Sequence, residues 1–203
     1  MNWCHLLSLR RYPEFLRLAW WKVVTPAVVR RKGVEIGSGT TFYGTPIISM
    51  VEGSKIIINE RASLCSVSEF TALGVNHPVV LRTMRPGAMI EVGAETGVSG
   101  ATICAAGHVK IGKQCMFGAN VVIADTDFHA MKPENRRYNS NHEDIAVAPV
   151  FVEDNVFLGT GVIVLKGSTI GENTIVGAGS VVVGNIPANS IAAGNPARVI
   201  RAV

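Results

Sequence analysis

Aliphatic residues recur at every sixth position through the later part of this 203-residue chain: Val152, Leu158, Val164, Ile170, Val176 and Val182. Two places before each stands a small or β-branched residue: Val150, Val156, Val162, Ser168, Thr174 and Ser180. Glycine follows the aliphatic residue at Gly159, Gly171 and Gly177, where a turn leaves no room for a Cβ. An amphipathic helix repeats about every 3.6 residues and a half-buried strand about every two, so neither accounts for this pattern. A six-residue period is that of a parallel β-helix. Each hexad supplies one short strand and one corner, and its aliphatic residue points into the coil.

Three stretches carry a family likeness: Ile170-Gly171-Glu172-Asn173, Val176-Gly177-Ala178-Gly179-Ser180 and Ala193-Gly194-Asn195-Pro196-Ala197-Arg198-Val199-Ile200. In them the chain resembles the hexapeptide-repeat acyltransferases, in particular the galactoside and maltose O-acetyltransferase group and its polysaccharide-modifying relatives. The resemblance implies an all-β fold, a left-handed parallel β-helix with three hexads per turn. That hand opposes the usual rule for parallel crossovers.

Followed from the N-terminal side, the repeat runs through Ile36, Phe42 and Ile48, then Ile58, Leu64 and Phe70. It continues through Val92, Val98 and Cys104, then Ile111, Phe117 and Ile123, before the final six hexads. This amounts to six three-sided turns. The expected layout is a helical N-terminal cap or arm at 1–33, a β-helix acyltransferase domain at 34–190 and a C-terminal tail at 191–203. On this count each interruption follows the third hexad of a turn. Two inserted loops, near 71–89 and 124–148, are therefore expected on one edge. Insertions in repeat folds gather on the functional face.

A hydrophobic content of 48% with only 6% aromatic residues suits a narrow coil filled by Val, Ile and Ala. The net charge of +4 is unevenly placed. Residues up to Gly33 carry seven Lys or Arg against Glu14 alone, a balance of +6, which leaves −2 for the remainder. No nucleic-acid motif accompanies the basic arm, so a DNA or RNA partner is not expected. Around breaks at Pro13 and Pro26 the arm reads as one or two short helices, with Leu6, Leu7, Phe15, Leu16 and Trp20-Trp21 as its apolar residues. Two roles are open to it: a cap over the end of the coil, or an interfacial arm making weak contact with a membrane surface. No apolar run reaches the length of a membrane span and no leader pattern opens the chain. Cys4, Cys65, Cys104 and Cys115 show neither a CxxC pair nor zinc-type spacing. The expectation is a cytoplasmic protein with reduced cysteines and no metal, at most peripheral to the inner face of the membrane.

The second insertion opens Asp125-Thr126-Asp127-Phe128-His129. A histidine just beyond a rigid strand, with carboxylates two and four residues before it, is arranged as a general base. A neutral imidazole takes the proton while a carboxylate or carbonyl fixes its tautomer. The resemblance places the family's catalytic histidine at His129, and Asp127 is the carboxylate chosen to face it. It also implies acetyl-coenzyme A along the last coils. Thr160 and Ala178, one turn apart, would leave a groove for the pantetheine arm, and Arg198 and Arg201 would lie near the nucleotide phosphates. Where galactoside enzymes carry a Thr-Lys pair, this chain has Val183-Gly184. Their sugar-gripping Asn and Asp are absent as well, leaving Ser99 and Asp125 as the candidate acceptor contacts. His5, His77, His108 and His142 are expected in solvated or hydrogen-bonded roles.

The leading expectation is an acetyl-CoA-dependent O-acetyltransferase acting on a sugar, glycan or glycan precursor, working as a homotrimer with clefts between subunits. N-acetylation of an amino sugar or aminated antibiotic keeps the same mechanism. A zinc hydratase of the carbonic anhydrase type needs three converging histidines, and the spacings among His108, His129 and His142 do not supply a close pair. A non-catalytic β-helix scaffold leaves the Asp125–His129 segment without a purpose.

Overall fold

The computed structural model describes residues 14–134, 136–139 and 141–203. Among these, three sheets of seven, eight and six strands form the faces of a left-handed parallel β-helix. Face A stacks Glu35–Ile36, Lys55–Ile58, Met89–Val92, His108–Ile111, Val150–Val152, Thr169–Ile170 and Asn185–Ile186. Face B stacks Thr41–Tyr43, Ser63–Cys65, Gly97–Ser99, Met116–Phe117, Phe157–Leu158, Ile175–Val176 and Ser190–Gly194. Face C stacks Ile47–Ser49, Val80–Thr83, Thr102–Ala105, Val122–Ala124, Ile163–Val164 and Val181–Val182. The chain visits A, B and C in turn, so every strand pairs with the equivalent strand one coil away.

Burial follows from this stacking. Ile58, Leu64, Leu81, Val92, Ile103, Ile123, Leu158, Val164, Ile170, Val176 and Val182 are each 0% exposed and form one continuous column of core. Each contributes roughly 1.5–3 kcal/mol relative to exposure. The small residue two places earlier turns into the corner. There Ser168 Oγ donates to the Val182 carbonyl at 3.3 Å, Thr174 Oγ1 to Pro187 at 2.9 Å and Ser180 Oγ to Gly177 at 2.6 Å. Corners after face A hold left-handed residues, with Asn155, Asn173 and Asn189 at φ 57°, 58° and 55°. Asparagine tolerates this conformation. Asn155 Nδ2 donates to Asn173 Oδ1 at 2.9 Å and Asn173 Nδ2 to Asn189 Oδ1 at 3.0 Å, a ladder along the coil axis.

The register corrects the expected repeat in two places. Phe70 is not the third inward residue of the second turn; Leu81 is, paired between Ile48 and Ile103. Six-residue spacing from Leu64 is met at Phe70, but Ser68–Phe70 forms a short 3-10 turn and offers no strand. The Phe70 ring packs outside instead, stacked on Tyr43 at 5.2 Å and edge-on to Trp21 at 5.6 Å. In the third turn Ile103, not Cys104, aligns with Ile123. The ladder to the coils on either side outranks the local count.

A further correction follows. The first long insertion leaves between faces B and C, connecting Ser63–Cys65 to Val80–Thr83, and the second leaves between C and A, connecting Val122–Ala124 to Val150–Val152. The two loops therefore do not share one edge. Residues expected as a tail continue face B as Ser190–Gly194 and fold back antiparallel as Ala197–Ala202.

One helix, Glu14–Arg31, continues through Pro26 at the N-terminal end of the coil, where two short helices were an open expectation. Proline removes one helical N–H there. Packing compensates: Trp21, Thr25 and Val29, spaced by four, are buried, and Val29 joins the core cluster. Cys65, Cys104 and Cys115 are free and buried. Burial pushes all three thiols up, that of Cys115 to about 11.

Two expectations follow from packing. A Cβ at Gly93 would overlap the Gly112 carbonyl oxygen, whereas one at Gly97 meets nothing within 4 Å. Gly93→Ala should lower stability by roughly 2–3 kcal/mol in urea unfolding, as overpacking does, while Gly97→Ala leaves it within about 0.5 kcal/mol. The raised Cys115 pKa favours the neutral thiol in the folded state. Its contribution is complete below the ordinary value of 9.0 and is lost as pH rises toward about 11. Thermal melts should show stability falling over that window, with a shallower fall in Cys115→Ala.

Candidate functional site

Two places on the coil combine rigid backbone with available polar groups. The first is the corner between faces B and C. There Gly118, Gly159 and Gly177 each follow an inward residue: Phe117, Leu158 and Val176. A Cβ on Gly118 would stand 2.6 Å from the Thr160 nitrogen, one on Gly159 2.6 Å from the Ala178 nitrogen, and one on Gly177 3.0 Å from Ala193 Cβ. Close stacking of the coils therefore requires glycine here without any unusual φ. The next column is Ala119, Thr160 and Ala178, also small. Together they floor a groove of about 500 Å³, walled by Phe157 and Ile175 and by Phe70–Leu73 of the first insertion. Ser99 lines the same groove.

Thr160 Oγ1 is buried with no hydrogen-bond partner among the described residues. A buried hydroxyl without a partner loses free energy that a ligand can restore. The column ends on Ala193, whose partner across the terminal hairpin is Arg198; Arg201 pairs with Ile191. Both arginines are exposed and, among the described residues, bond only to adjacent carbonyls, Arg198 Nη1 to Ala197 at 2.9 Å and Arg201 Nη1 to Ala202 at 3.2 Å. Their charge remains available for an anion. A long, thin, largely apolar ligand with a charged end fits this surface.

The second place is the corner between faces C and A, where the second insertion begins. Asp125 is fully buried, and its carboxylate accepts the backbone N–H groups of Ala106 and Gly107, both at 2.7 Å. Both oxygens of this residue, expected as an acceptor contact, fasten the neighbouring coil's corner. Thr126 bridges antiparallel to Val147, closing the base of the loop. Asp127 Oδ1 meets Lys166 Nζ at 2.9 Å. Phe128 has φ 63°, and the His129 N–H donates to the Asp127 carbonyl at 2.7 Å across it. This is the γ-turn of positive φ, a rare and strained form, and a bulky residue in it is an outlier. Such strain persists where surrounding contacts hold it and clusters at functional sites.

The turn presents His129 exposed, in a depression of about 800 Å³ shared with Pro133, Arg136, Arg137 and Tyr138. Arg136 braces the loop through the Ala130 and Met131 carbonyls, at 3.0 and 2.6 Å. Arg85 holds the other limb through the His142 and Ile145 carbonyls, at 2.7 and 3.2 Å. Asp127 thus turns its carboxylate to Lys166, and its carbonyl accepts the His129 backbone N–H.

The structure therefore brings Ser99, Thr160 and Ala178 together, with Arg198 at the end of their groove, and sets His129 and Asp127 on a different corner. His77 Nδ1 lies 2.7 Å from the Pro78 carbonyl and His108 Nε2 2.9 Å from Glu91 Oε1, so both rings are occupied. His5 lies outside the described residues. No group of three or more metal-ligating side chains occurs among the described residues. Lys166 escaped the sequence reading. Its signal was the repeat itself, since Ile123 pairs with Val164 and the residues just after each lie one coil apart. The wall at Phe70–Leu73 was hidden by the mistaken placing of Phe70 in the core.

Known proteins match this architecture. The family described as bacterial transferase hexapeptide (six repeats) matches residues 149–184, and the hexapeptide repeat of succinyl-transferase matches residues 108–124. The chain is similar to the galactoside O-acetyltransferase of Lactococcus lactis, 43% identical over 95 residues, 47% of this chain and 44% of that protein. It spans less than half the length of the curated relatives it matches. Its fold is shared with a maltose O-acetyltransferase from Clostridium difficile, at TM-score 0.51 and 24% identity over 94% of this chain and 89% of the other. An N-acyltransferase from Bacillus cereus, in complex with dTDP and 3-hydroxybutyryl-CoA, aligns at TM-score 0.63 and 16% identity over 87% of each chain.

The geometry separates a fastening role for Asp125 from a substrate role. Asp125→Ala leaves the buried Ala106 N–H and the half-buried Gly107 N–H unpaired and should lower stability by roughly 3 kcal/mol. Urea unfolding measures this. An unchanged midpoint would return Asp125 to the candidate substrate contacts.

Proposed function

We propose that this chain, which belongs to the hexapeptide-repeat transferase family, transfers an acetyl group from acetyl-coenzyme A to a hydroxyl of a sugar, glycan or glycan precursor. The observation that carries the reading is the groove between faces B and C. Its glycine floor, small Thr160 and Ala178, and unbonded Thr160 hydroxyl suit a pantetheine arm with its amides. Arg198 and Arg201 beyond its end suit the nucleotide phosphates. Sugar acceptors are named for the Lactococcus and Clostridium relatives, and this reading extends them to the present chain.

His129 serves as the base. Its neutral imidazole removes the acceptor hydroxyl proton as the oxygen attacks the thioester carbonyl carbon. The C–S bond then breaks, and the imidazolium returns the proton to the departing sulfur, leaving acetylated acceptor and free coenzyme A. The Asp127–Lys166 pair holds the loop from which His129 projects. Ser99, which lines the groove, is taken as the acceptor contact.

On one chain the groove and His129 occupy different corners of the prism. The reaction therefore needs a second copy, and the reading includes a homotrimer in which each groove meets a neighbour's His129. Outward apolar groups on face B and at the corner after face C support packing there: Met116 and Phe157 on face B are 56% and 39% exposed, and Val183 after Val181–Val182 is 56% exposed. Face A turns Lys55, Glu91, His108 and Lys110 outward instead. A coenzyme A donor and buried reduced thiols fit the cytoplasm. Amine acylation is the second reading, because the Bacillus cereus N-acyltransferase shares the coil.

Coenzyme A release across neutral sugars, glycans and amino sugars tests the assignment. His129→Ala should remain folded and trimeric while turnover falls by roughly 10²- to 10⁴-fold. Asp127→Asn should lower turnover less, and Arg198→Ala with Arg201→Ala should raise the KM for acetyl-CoA with kcat nearly unchanged. Near-normal kcat in folded His129→Ala overturns the base assignment.

A further inference from the structure

The helix Glu14–Arg31 has two apolar sides, and the fold uses one. Trp21, Thr25 and Val29 pack on the coil. At about 100° per residue, Leu16, Ala19, Trp20, Val23 and Ala27 form a second stripe on the opposite side. This stripe faces outward: Leu16 is 43% exposed, Trp20 41% and Val23 70%. Phe15 lies at its N-terminal flank, 67% exposed. An apolar stripe of this length on a surface helix calls for a partner.

The charge around the stripe says which partner. Lys22, Arg30, Arg31 and Lys32 are exposed along the helix and its end, and Glu14 is the single acid between residues 14 and 33. A second copy of the helix would bring like charges together, since one Glu14 per copy cannot offset them. Anionic lipid complements them. Basic residues flanking exposed Trp and Phe are the composition of a helix lying in a bilayer interface, with the aromatic side at headgroup depth.

We propose that Leu16, Trp20 and Val23 dock the N-terminal end of the coil onto an anionic phospholipid surface, with the flanking Lys and Arg residues meeting the headgroups. This inference is independent of the transferase reading. Binding combines modest apolar insertion with charge attraction, so it is reversible and weakened by salt.

The test is sedimentation of the full chain with vesicles of phosphatidylcholine containing about one third phosphatidylglycerol, against phosphatidylcholine alone. The expected result is binding to the anionic vesicles at low salt, lost at high salt. Trp20→Ser with Val23→Ser should lower the partition coefficient at least about tenfold. Arg30→Glu with Arg31→Glu should lower it about fivefold or more per charge. Both pairs are exposed, so circular dichroism should keep the folded spectrum, with at most a small fall in thermal midpoint for the arginine pair, whose charge the last helical turn favours. No binding to anionic vesicles overturns the proposal, as does equal binding to both compositions. Binding that survives Trp20→Ser with Val23→Ser and disappears on deletion of residues 1–12 assigns the contact to that segment and also overturns it. A fall in solution mass for the stripe variant without change in vesicle binding would make the face a contact between copies.

Discussion

Pairing between each strand and the equivalent strands one coil above and below governs this molecule. The strands are short, two to five residues on the parallel faces, and none could persist alone. Stacked in register, they place Ile58, Val92, Ile111, Val152, Ile170 and Ile186 over one another on face A. The same stacking decides where glycine must stand. Gly93, Gly112, Gly118 and Gly159 lie where the next coil's backbone passes too close for a Cβ. Core and corner are therefore consequences of one ladder.

Chemistry gathers where the ladder pauses. A corner interrupts pairing for a few residues and lets the chain leave and return without disturbing the coils. The second insertion is anchored at its root by Asp125 on the Ala106 and Gly107 N–H groups, by the Thr126–Val147 bridge and by the Asp127–Lys166 pair. Those contacts make the positive-φ turn at Phe128 tolerable and fix where His129 emerges. The groove arises differently. It is a row of small residues at equivalent corner positions, open on one side among the described residues and walled by Phe157, Ile175 and the first insertion. A rigid floor with an adaptable margin suits a donor that must enter and leave.

The faces divide the remaining work. Face A carries most of the charged outward residues, including the His108–Glu91 pair at 2.9 Å, with His108 edge-on to Phe151, while Arg82 points outward from face C. Faces B and C carry apolar outward residues in their upper turns, and the helix at the lower end carries the strongest positive charge. A rod with unlike sides and unlike ends can meet copies of itself laterally and a different surface at its tip.

The period of six by itself determined the β-helix, because no other regular structure buries one aliphatic residue in six with a small residue two before it. It also located the second insertion and Asp125–His129, since the repeat stops abruptly at Ile123 and resumes at Val152. Thr160 and Ala178 were legible for the same reason: residues eighteen apart in an uninterrupted run must stack. What only the tertiary structure decided lies where the count was broken. Phe70 sits at a permitted spacing, yet the strand that satisfies the neighbouring ladders begins ten residues later, at Val80. That shift moved the first insertion to another edge and separated the groove from His129. Carboxylate roles were equally hidden: Asp125 and Asp127 look alike in the sequence, and only the coils beside them assign one to backbone N–H groups and the other to Lys166. Local periodicity records which residues face inward; long-range pairing decides which coil they belong to.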